Sequence, residues 1–270
     1  RAMVERYATS PGMTGVVFTN NDDGYLTALR LHEAGVAVRR VIDVRKDVAS
    51  ALPDAARKAG LDVQTGAAIA GVETRSGGKE ITAVKIASYS AGRGRVVNEE
   101  RVDCDFVAVS GGYNPVVHLW CHNGGKLKFD DSIQSFRPDR HGDPITVVGS
   151  ANGSFDLKGC VEEGFAGGEA AVKALGSKPE KTLKKPEVKA QRAGPIQPIW
   201  FAPATGRYNE GNKHFIDFQN DVTAADLELA QREGYESVEH TKRYTTLGMA
   251  TDQGKTSNIN GLGIISDATG

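Results

Sequence analysis

The chain has few cysteines and no closely spaced pair of them. Its 270 residues include three, Cys104, Cys121 and Cys160, and no C-x-x-C motif. The missing pair excludes dithiol redox chemistry. An odd number of widely spaced cysteines in apolar surroundings fits buried thiols in a reducing cytoplasm better than a disulfide framework.

An excess of one charge and long apolar runs are also missing. The 33 basic and 34 acidic residues give a net charge of -1, which gives no electrostatic footprint for nucleic acid. No apolar run reaches the roughly 18 residues of a membrane span. The motifs G-x-S-x-G and G-x-x-x-x-G-K are absent. We therefore expect no nucleic-acid or membrane partner, and the sequence offers no catalytic residue.

A strand, turn, helix and strand near the start are typical of half a dinucleotide-binding fold. Residues 15–18 are apolar and predict a buried parallel strand. Residues 25–34 predict a helix and residues 36–44 a second strand. Asp43 lies near the end of that strand, 19 residues after Gly24, where an acid of this fold contacts ribose.

The turn has lost most of the glycines that such a site needs. The three glycine positions of G-x-G-x-x-G hold Thr19, Asn21 and Gly24, so only the glycine for helix packing remains. Asp22 and Asp23 add carboxylates at the helix N-terminus, where they would repel a diphosphate. The sequence favours a retained Rossmann scaffold with a disabled loop, and a working pocket is the alternative.

Three later segments also predict strands. Residues 81–89 alternate apolar and polar side chains, as in an antiparallel strand. Residues 104–109 and 145–148 are short apolar runs and predict buried strands.

A second unit of strand, glycine turn and helix is predicted at residues 145–176. The turn spans residues 149–153, and a helix from about Lys158 to Leu175 ends at Gly176. This turn suits a dinucleotide better than the first, because it has glycines and no acid before Asp156. Ligand contact and simple packing are equally compatible with its composition.

One group of residues has the spacing of a zinc site. His118, Cys121 and His122 lie within about one helical turn, a spacing that can chelate zinc. The sequence shows no fourth ligand and no acid between the histidines. A packed or half-exposed helix explains them better, and we predict no metal site.

Three passages together resemble the α subunits of heterotetrameric sarcosine oxidases. They are VFTNND at residues 17–22, AVSGGYNP at 108–115 and KRYTTLGMATDQGKTSN at 242–258. The last passage is the most specific, and the likeness extends over essentially the whole chain. Since the chain starts at Arg1 without an initiator methionine, we expect a central fragment of that subunit.

The resemblance implies an α/β fold with disulfide-reductase-like FAD/NAD(P)-binding Rossmann domains. Residues 14–109 would be an inserted second nucleotide-binding domain. Residues 110–176 would return into an incomplete first domain that binds NAD⁺. Residues 177–212 would be a linker, and residues 213–258 a small α+β unit.

The resemblance also implies a non-covalent NAD⁺ on this subunit. By position, its contacts within the chain should come from the turn before the second predicted helix. The expected contact residues are Gly149, Ser150, Gly153, Phe155 and Leu157.

The implied reaction is the oxidative demethylation of sarcosine to glycine, a CH–NH oxidation with oxygen as acceptor that forms hydrogen peroxide. FAD and FMN would lie on the β subunit, and tetrahydrofolate would accept the one-carbon unit at a domain outside this chain. The β, γ and δ subunits would be partners in a cytoplasmic complex, and we expect the fragment alone to be inactive. The alternatives are an independent pyridine-nucleotide or FAD oxidoreductase and a cofactor-free assembly module.

The small C-terminal unit is similar to cysteine domains that hold a [2Fe–2S] cluster with two cysteine pairs. The matching positions hold Asp217, Gln219, Asp252 and Ser257. Because such a cluster needs thiolates, we predict a fold without a cluster.

Overall fold

The computed structural model describes residues 1–89, 97–139, 145–177, 184–189, 194–202 and 213–269. The predicted linker at residues 177–212 falls largely outside the described residues. The chain forms two compact units. The first unit consists of Arg1–Gly111 and Gln197–Gly270, and the second unit of Gly112–Ile196.

Seven strands and three helices form the amino-terminal part of the first unit. The helices are α1 (Ala2–Tyr7), α2 (Asp23–Glu33) and α3 (Leu52–Lys58). The strands are β1 (Thr14–Thr19), β2 (Ala37–Asp43), β3 (Val63–Thr65), β4 (Ala67–Arg75), β5 (Glu80–Ser88), β6 (Val97–Asp103) and β7 (Phe106–Ser110).

A parallel sheet with the order β3-β2-β1-β7 is the centre of this unit. Helix α2 connects β1 to β2, so the predicted strand, turn, helix and strand are confirmed, and with them the α/β fold. Parallel strands need such a crossover, because the chain has to return to the starting end of the sheet before the next strand begins. A tight turn joins only antiparallel strands. On one face, Val17 and Val41 pack with Tyr25 and Leu31 of α2.

An antiparallel sheet of the order β4-β5-β6 covers the other face of the parallel sheet. There Val16 and Ile42 pack with Val84 and Ile86. The predicted antiparallel strand at residues 81–89 is confirmed as β5. Burying each of these side chains stabilises the fold by about 1.5–3 kcal/mol. Val16 and Val17 are adjacent on β1 and pack on opposite faces of the parallel sheet, so β1 contributes to both hydrophobic clusters.

The second unit contains α4 (His118–His122), β8 (Leu127–Asp130), β9 (Ser135–Pro138) and α5 (Leu157–Ala174). Strands β8 and β9 form an antiparallel pair. The strand predicted at residues 145–148 is wrong. Those residues adopt no strand, and Ile145 and Val148 are 41% and 36% exposed. An apolar run becomes a strand only where a neighbouring strand accepts its backbone hydrogen bonds.

Helix α5 has the predicted ends and uses its glycines for close packing at one position. The Asp156 carboxylate accepts the Gly159 N–H at 2.9 Å, and Gly176 follows the helix with φ of 67°. A methyl group at Gly167 would lie 2.9 Å from the Cγ1 of Val148. Gly164, in contrast, faces open space.

The C-terminal part of the first unit contains two short strands and three helices. They are β10 (Phe215–Asp217), β11 (Val222–Thr223), α6 (Ala224–Arg232), α7 (Val238–Thr245) and α8 (Asn258–Thr269). Thr223 and Asp226 form a reciprocal capping box at α6, and Ser237 caps α7. Such side chains accept the free N–H groups of the first helical turn and are typical of helix starts.

Helix α8 was not predicted, because glycines at positions 261 and 263 lower its helix propensity. Its Ile264 and Ile265 are buried with Leu227 and Leu247. A methyl group at Gly261 would lie 2.5 Å from a Leu247 methyl carbon, so packing requires the glycine that weakens the local signal. None of the helices in the described part of the chain has the length and apolar character that a membrane span requires.

Candidate nucleotide-binding sites

The turn between β1 and α2 keeps one glycine for helix packing. A methyl group at Gly24 would overlap the Cβ and Oγ1 atoms of Thr19. The glycine therefore allows α2 to approach β1 closely, as the sequence indicated.

Asparagine side chains close this turn against the chain itself. Asn21 donates its amide N–H to the Ser110 carbonyl at 3.0 Å, and Ser110 Oγ donates to Asn21 Oδ1 at 3.1 Å. Asn20 donates its amide to the Gln197 carbonyl at 2.9 Å, and the Gln197 N–H returns to the Asn20 carbonyl at 3.1 Å. In a working loop the backbone would approach a diphosphate here.

A buried ion-pair cluster lies directly beside the turn. Arg45 donates Nε to Asp43 Oδ1 at 3.0 Å and Nη2 to Asp43 Oδ2 at 2.7 Å. Its Nη1 lies 2.9 Å from Asp22 Oδ1. The hydroxyl of Tyr25 donates to Asp43 Oδ2 at 2.9 Å. All four side chains are buried.

The hydrogen bonds of this cluster occupy the Asp43 carboxylate, the group that would bind a ribose. Both oxygens of Asp43, the acid that the sequence assigned to that role, accept hydrogen bonds from the protein. Burial and the neighbouring Asp43 raise the pKa of Tyr25. Burial opposes the charge on Arg45, but Asp43 and Asp22 outweigh it and raise its pKa. The site is therefore closed by a guanidinium between two carboxylates, in agreement with the disabled-loop interpretation.

Sequence reasoning missed Arg45. The available signal was a basic residue two positions after the strand-end acid, opposite an acid in the preceding turn.

The second candidate site is the turn before α5. Gly149 and Gly153 have φ angles of 65° and 91°, which glycine adopts without strain. The five predicted contact residues all lie in this turn or at the first position of α5. Ser150 is exposed, and Phe155 and Leu157 are 40% and 68% exposed. A ligand can therefore reach all three side chains in this set, in which the other two residues are glycines.

Glu163 of α5 holds this turn, a role that no sequence pattern indicated. Its carboxylate accepts the Gly149 N–H at 2.8 Å, the Asn152 amide at 3.1 Å and the Ser154 hydroxyl. Burial alone would raise the pKa of Glu163, but these hydrogen bonds outweigh it and lower the pKa.

The turn fits an uncharged part of a dinucleotide better than its diphosphate. Glu163 takes the Gly149 N–H, and Asp156 takes an N–H in the first turn of α5. A phosphate would meet two carboxylates where it needs donors. The exposed Ser150 hydroxyl and the Phe155 ring remain suitable for a ribose or a base.

Within the described residues, the cysteines and histidines do not assemble into a site. Cys104 is buried, and burial raises its pKa. Cys160 is only partly buried and Cys121 is exposed, so the prediction of three buried thiols is wrong for Cys121 and holds only in part for Cys160. His118 and Cys121 lie on the short α4. Within the described ranges, no group of three His, Cys, Asp or Glu side chains could hold a metal.

Carboxylates hold the loops of the C-terminal part at two of the four cluster-ligand positions. Asp217 is buried and accepts N–H groups from Gln219 at 2.9 Å and Gly248 at 2.8 Å. Asp252 accepts the backbone N–H and the hydroxyl of Thr256, which lower its pKa. Asp217 therefore joins two loops 31 residues apart by hydrogen bonds. The predicted absence of a cluster stays a prediction.

Replacing Arg45 by methionine should destabilise the protein by about 3–5 kcal/mol, because two buried carboxylates lose their partner. The measurement is urea unfolding of the purified protein. Arg39→Met, at an exposed position on β2, the strand that Arg45 follows, is the matched control and should change the free energy of unfolding by less than about 0.5 kcal/mol. An unfolding free energy for Arg45→Met equal to that of the control would show that the cluster contributes nothing.

Glu163→Gln should lower the free energy of unfolding by about 1–3 kcal/mol at pH 7, since a charged acceptor is lost. The folded-state pKa of Glu163 is lowered, so its stabilisation is present above the unfolded-state pKa and is lost as pH falls through the folded-state pKa. The gap to the wild type should therefore close as the pH falls below the unfolded-state pKa of glutamate, about 4.3, and then through the lowered folded-state pKa. Glu162→Gln, at the exposed neighbouring position, is the control. A gap that stays the same size as the pH is lowered from 7 would contradict this role.

One family model and several curated proteins match this chain. The model of the sarcosine oxidase A3 domain matches residues 211–270. Sarcosine oxidase subunit alpha of Rhizobium meliloti (strain 1021) is 39% identical over 274 residues, covering 100% of this chain and 25% of that protein. The subunit of the same name from Corynebacterium sp. (strain P-1) is 37% identical, covering 100% of this chain and 28% of that protein.

Among solved structures, T. acidophilum thioredoxin reductase has a TM-score of 0.49 and 18% identity, covering 63% of this chain and 55% of that one. The chain spans about a quarter of the length of the curated relatives that it matches. These comparisons confirm the resemblance that the three sequence passages indicated. Over its whole length the chain is similar to the α subunit of sarcosine oxidase.

Proposed function

We propose that this chain is a segment of the α subunit of a flavin-dependent sarcosine oxidase. It supplies a nucleotide-binding scaffold and subunit contacts, and no catalytic residue. The identity of 36–39% to three proteins of that name supports the proposal. The conversion of sarcosine to glycine, with hydrogen peroxide formation and one-carbon transfer to tetrahydrofolate, would belong to the whole complex. FAD and FMN would be held by the β subunit, and γ and δ would complete the cytoplasmic assembly.

The observation that carries the nucleotide assignment is the contrast between the two turns. The turn at residues 19–24 is closed by Arg45, Asp43 and Asp22. The turn at residues 149–157 has two glycines at positive φ and exposed side chains. We propose that Gly149, Ser150, Gly153, Phe155 and Leu157 contact NAD⁺. These residues would hold NAD⁺ at the turn and orient its base and ribose.

Two alternatives make different predictions about bound ligand. An independent pyridine-nucleotide oxidoreductase would carry FAD on this subunit, and the closed first turn argues against it. A cofactor-free assembly module is favoured by Glu163 and Asp156, since both already accept N–H groups in or next to the second turn.

Mass spectrometry of ligand released from the purified complex tests the proposal. We expect NAD⁺, and Gly153→Ala should weaken its binding about 10-fold, equivalent to about 1.4 kcal/mol. The physical reason is that a methyl group there would lie 2.9 Å from Ile133 Cδ1. Gly176→Ala, also at positive φ but facing open space, is the matched control and should keep NAD⁺. FAD on this subunit, or no ligand in the wild type, would contradict the proposal.

A further inference from the structure

Two aromatic side chains in the second unit lie together, and each keeps part of its surface exposed. The ring centroids of Tyr113 and Phe155 are 5.6 Å apart, with an angle of 39° between the ring planes. Tyr113 is 54% exposed and Phe155 is 40% exposed. Exposed aromatic surface costs free energy that a ligand ring recovers when it covers that surface.

Strand β9 fixes both halves of this pair. The buried Ser135 donates its hydroxyl to Asn114 Oδ1 at 2.5 Å, which anchors the loop that carries Tyr113. Two residues along the strand, Arg137 packs against Gly153, where its Cδ would lie 3.7 Å from an added methyl group. The loop with Tyr113 and the turn before Phe155 thus both contact strand β9.

Phe155 of this pair belongs to the turn before α5, which suits a base better than a phosphate. The carboxylates of Glu163 and Asp156 disfavour phosphate near Gly149 and at the start of α5. An aromatic surface suits any heteroaromatic ring, because each base has a π-face. Stacking on a tyrosine and a phenylalanine needs no hydrogen-bond donor from the turn.

We propose that Tyr113 and Phe155 form a stacking surface for a heteroaromatic ring of the bound nucleotide. This inference rests on the proposed dinucleotide site and adds Tyr113, which no sequence pattern assigned to it. The chemistry is shared by the adenine and nicotinamide rings, so the experiment has to separate them.

The test is the affinity of the purified complex, stripped of ligand, for NAD⁺, ADP-ribose and nicotinamide mononucleotide. Tyr113→Leu keeps an apolar side chain but removes the ring, and should weaken NAD⁺ binding about 10-fold. Tyr113→Phe should bind within about 3-fold of the wild type. A loss of ADP-ribose affinity by the same factor identifies adenine as the stacked ring. A loss of nicotinamide mononucleotide affinity identifies nicotinamide.

The control is Tyr7→Leu, an exposed tyrosine of α1 in the first unit, which should bind NAD⁺ like the wild type. If Tyr113→Leu does not assemble, Phe155→Leu removes the other ring and is judged by the same criterion. A wild type that binds NAD⁺ and a Tyr113→Leu variant of equal affinity overturn the stacking inference alone. A wild-type complex that binds none of the three ligands overturns the proposed function and this inference together.

Discussion

The buried pairing of Arg45 with Asp43 and Asp22 is the interaction on which the first half of this molecule depends. An unpaired charge in such a place would cost several kcal/mol. The guanidinium joins the end of β2 to the turn after β1, so the carboxyl edge of the parallel sheet needs no ligand to stay ordered. Residues 197–199 cover the same edge, through Gln197 on Asn20 and Ile199 in a cluster with Val44.

This closure explains how a Rossmann scaffold can persist without a working phosphate loop. The glycine that packs α2 on β1 is retained, because losing it would separate two core elements. The glycines that serve only the ligand are replaced by Thr19 and Asn21, which hydrogen-bond to the protein instead. The positions that pack the fold and the positions that would contact a cofactor are thus different positions of one turn. The second unit shows the converse, with glycines at positive φ beside exposed side chains.

Much of the fold was predictable because its signals are local. The pattern from β1 to Asp43 depends on neighbouring residues, and the structure confirms it. The contacts that decide the sites are not local. Glu163 meets Gly149 across 14 residues, and residues 145–148 lack the strand partner that their composition suggests. Asp217, which bonds to Gly248, was identified by position, but its role in joining the loops required the coordinates.

The most direct test of the account is an experimental structure of the complete α subunit with a dinucleotide bound. The account predicts that the ligand lies beside the turn at residues 149–157. It also predicts that Arg45 still bonds to both Asp43 and Asp22. A dinucleotide beside residues 19–24, with Arg45 displaced from Asp43, would contradict the central claim.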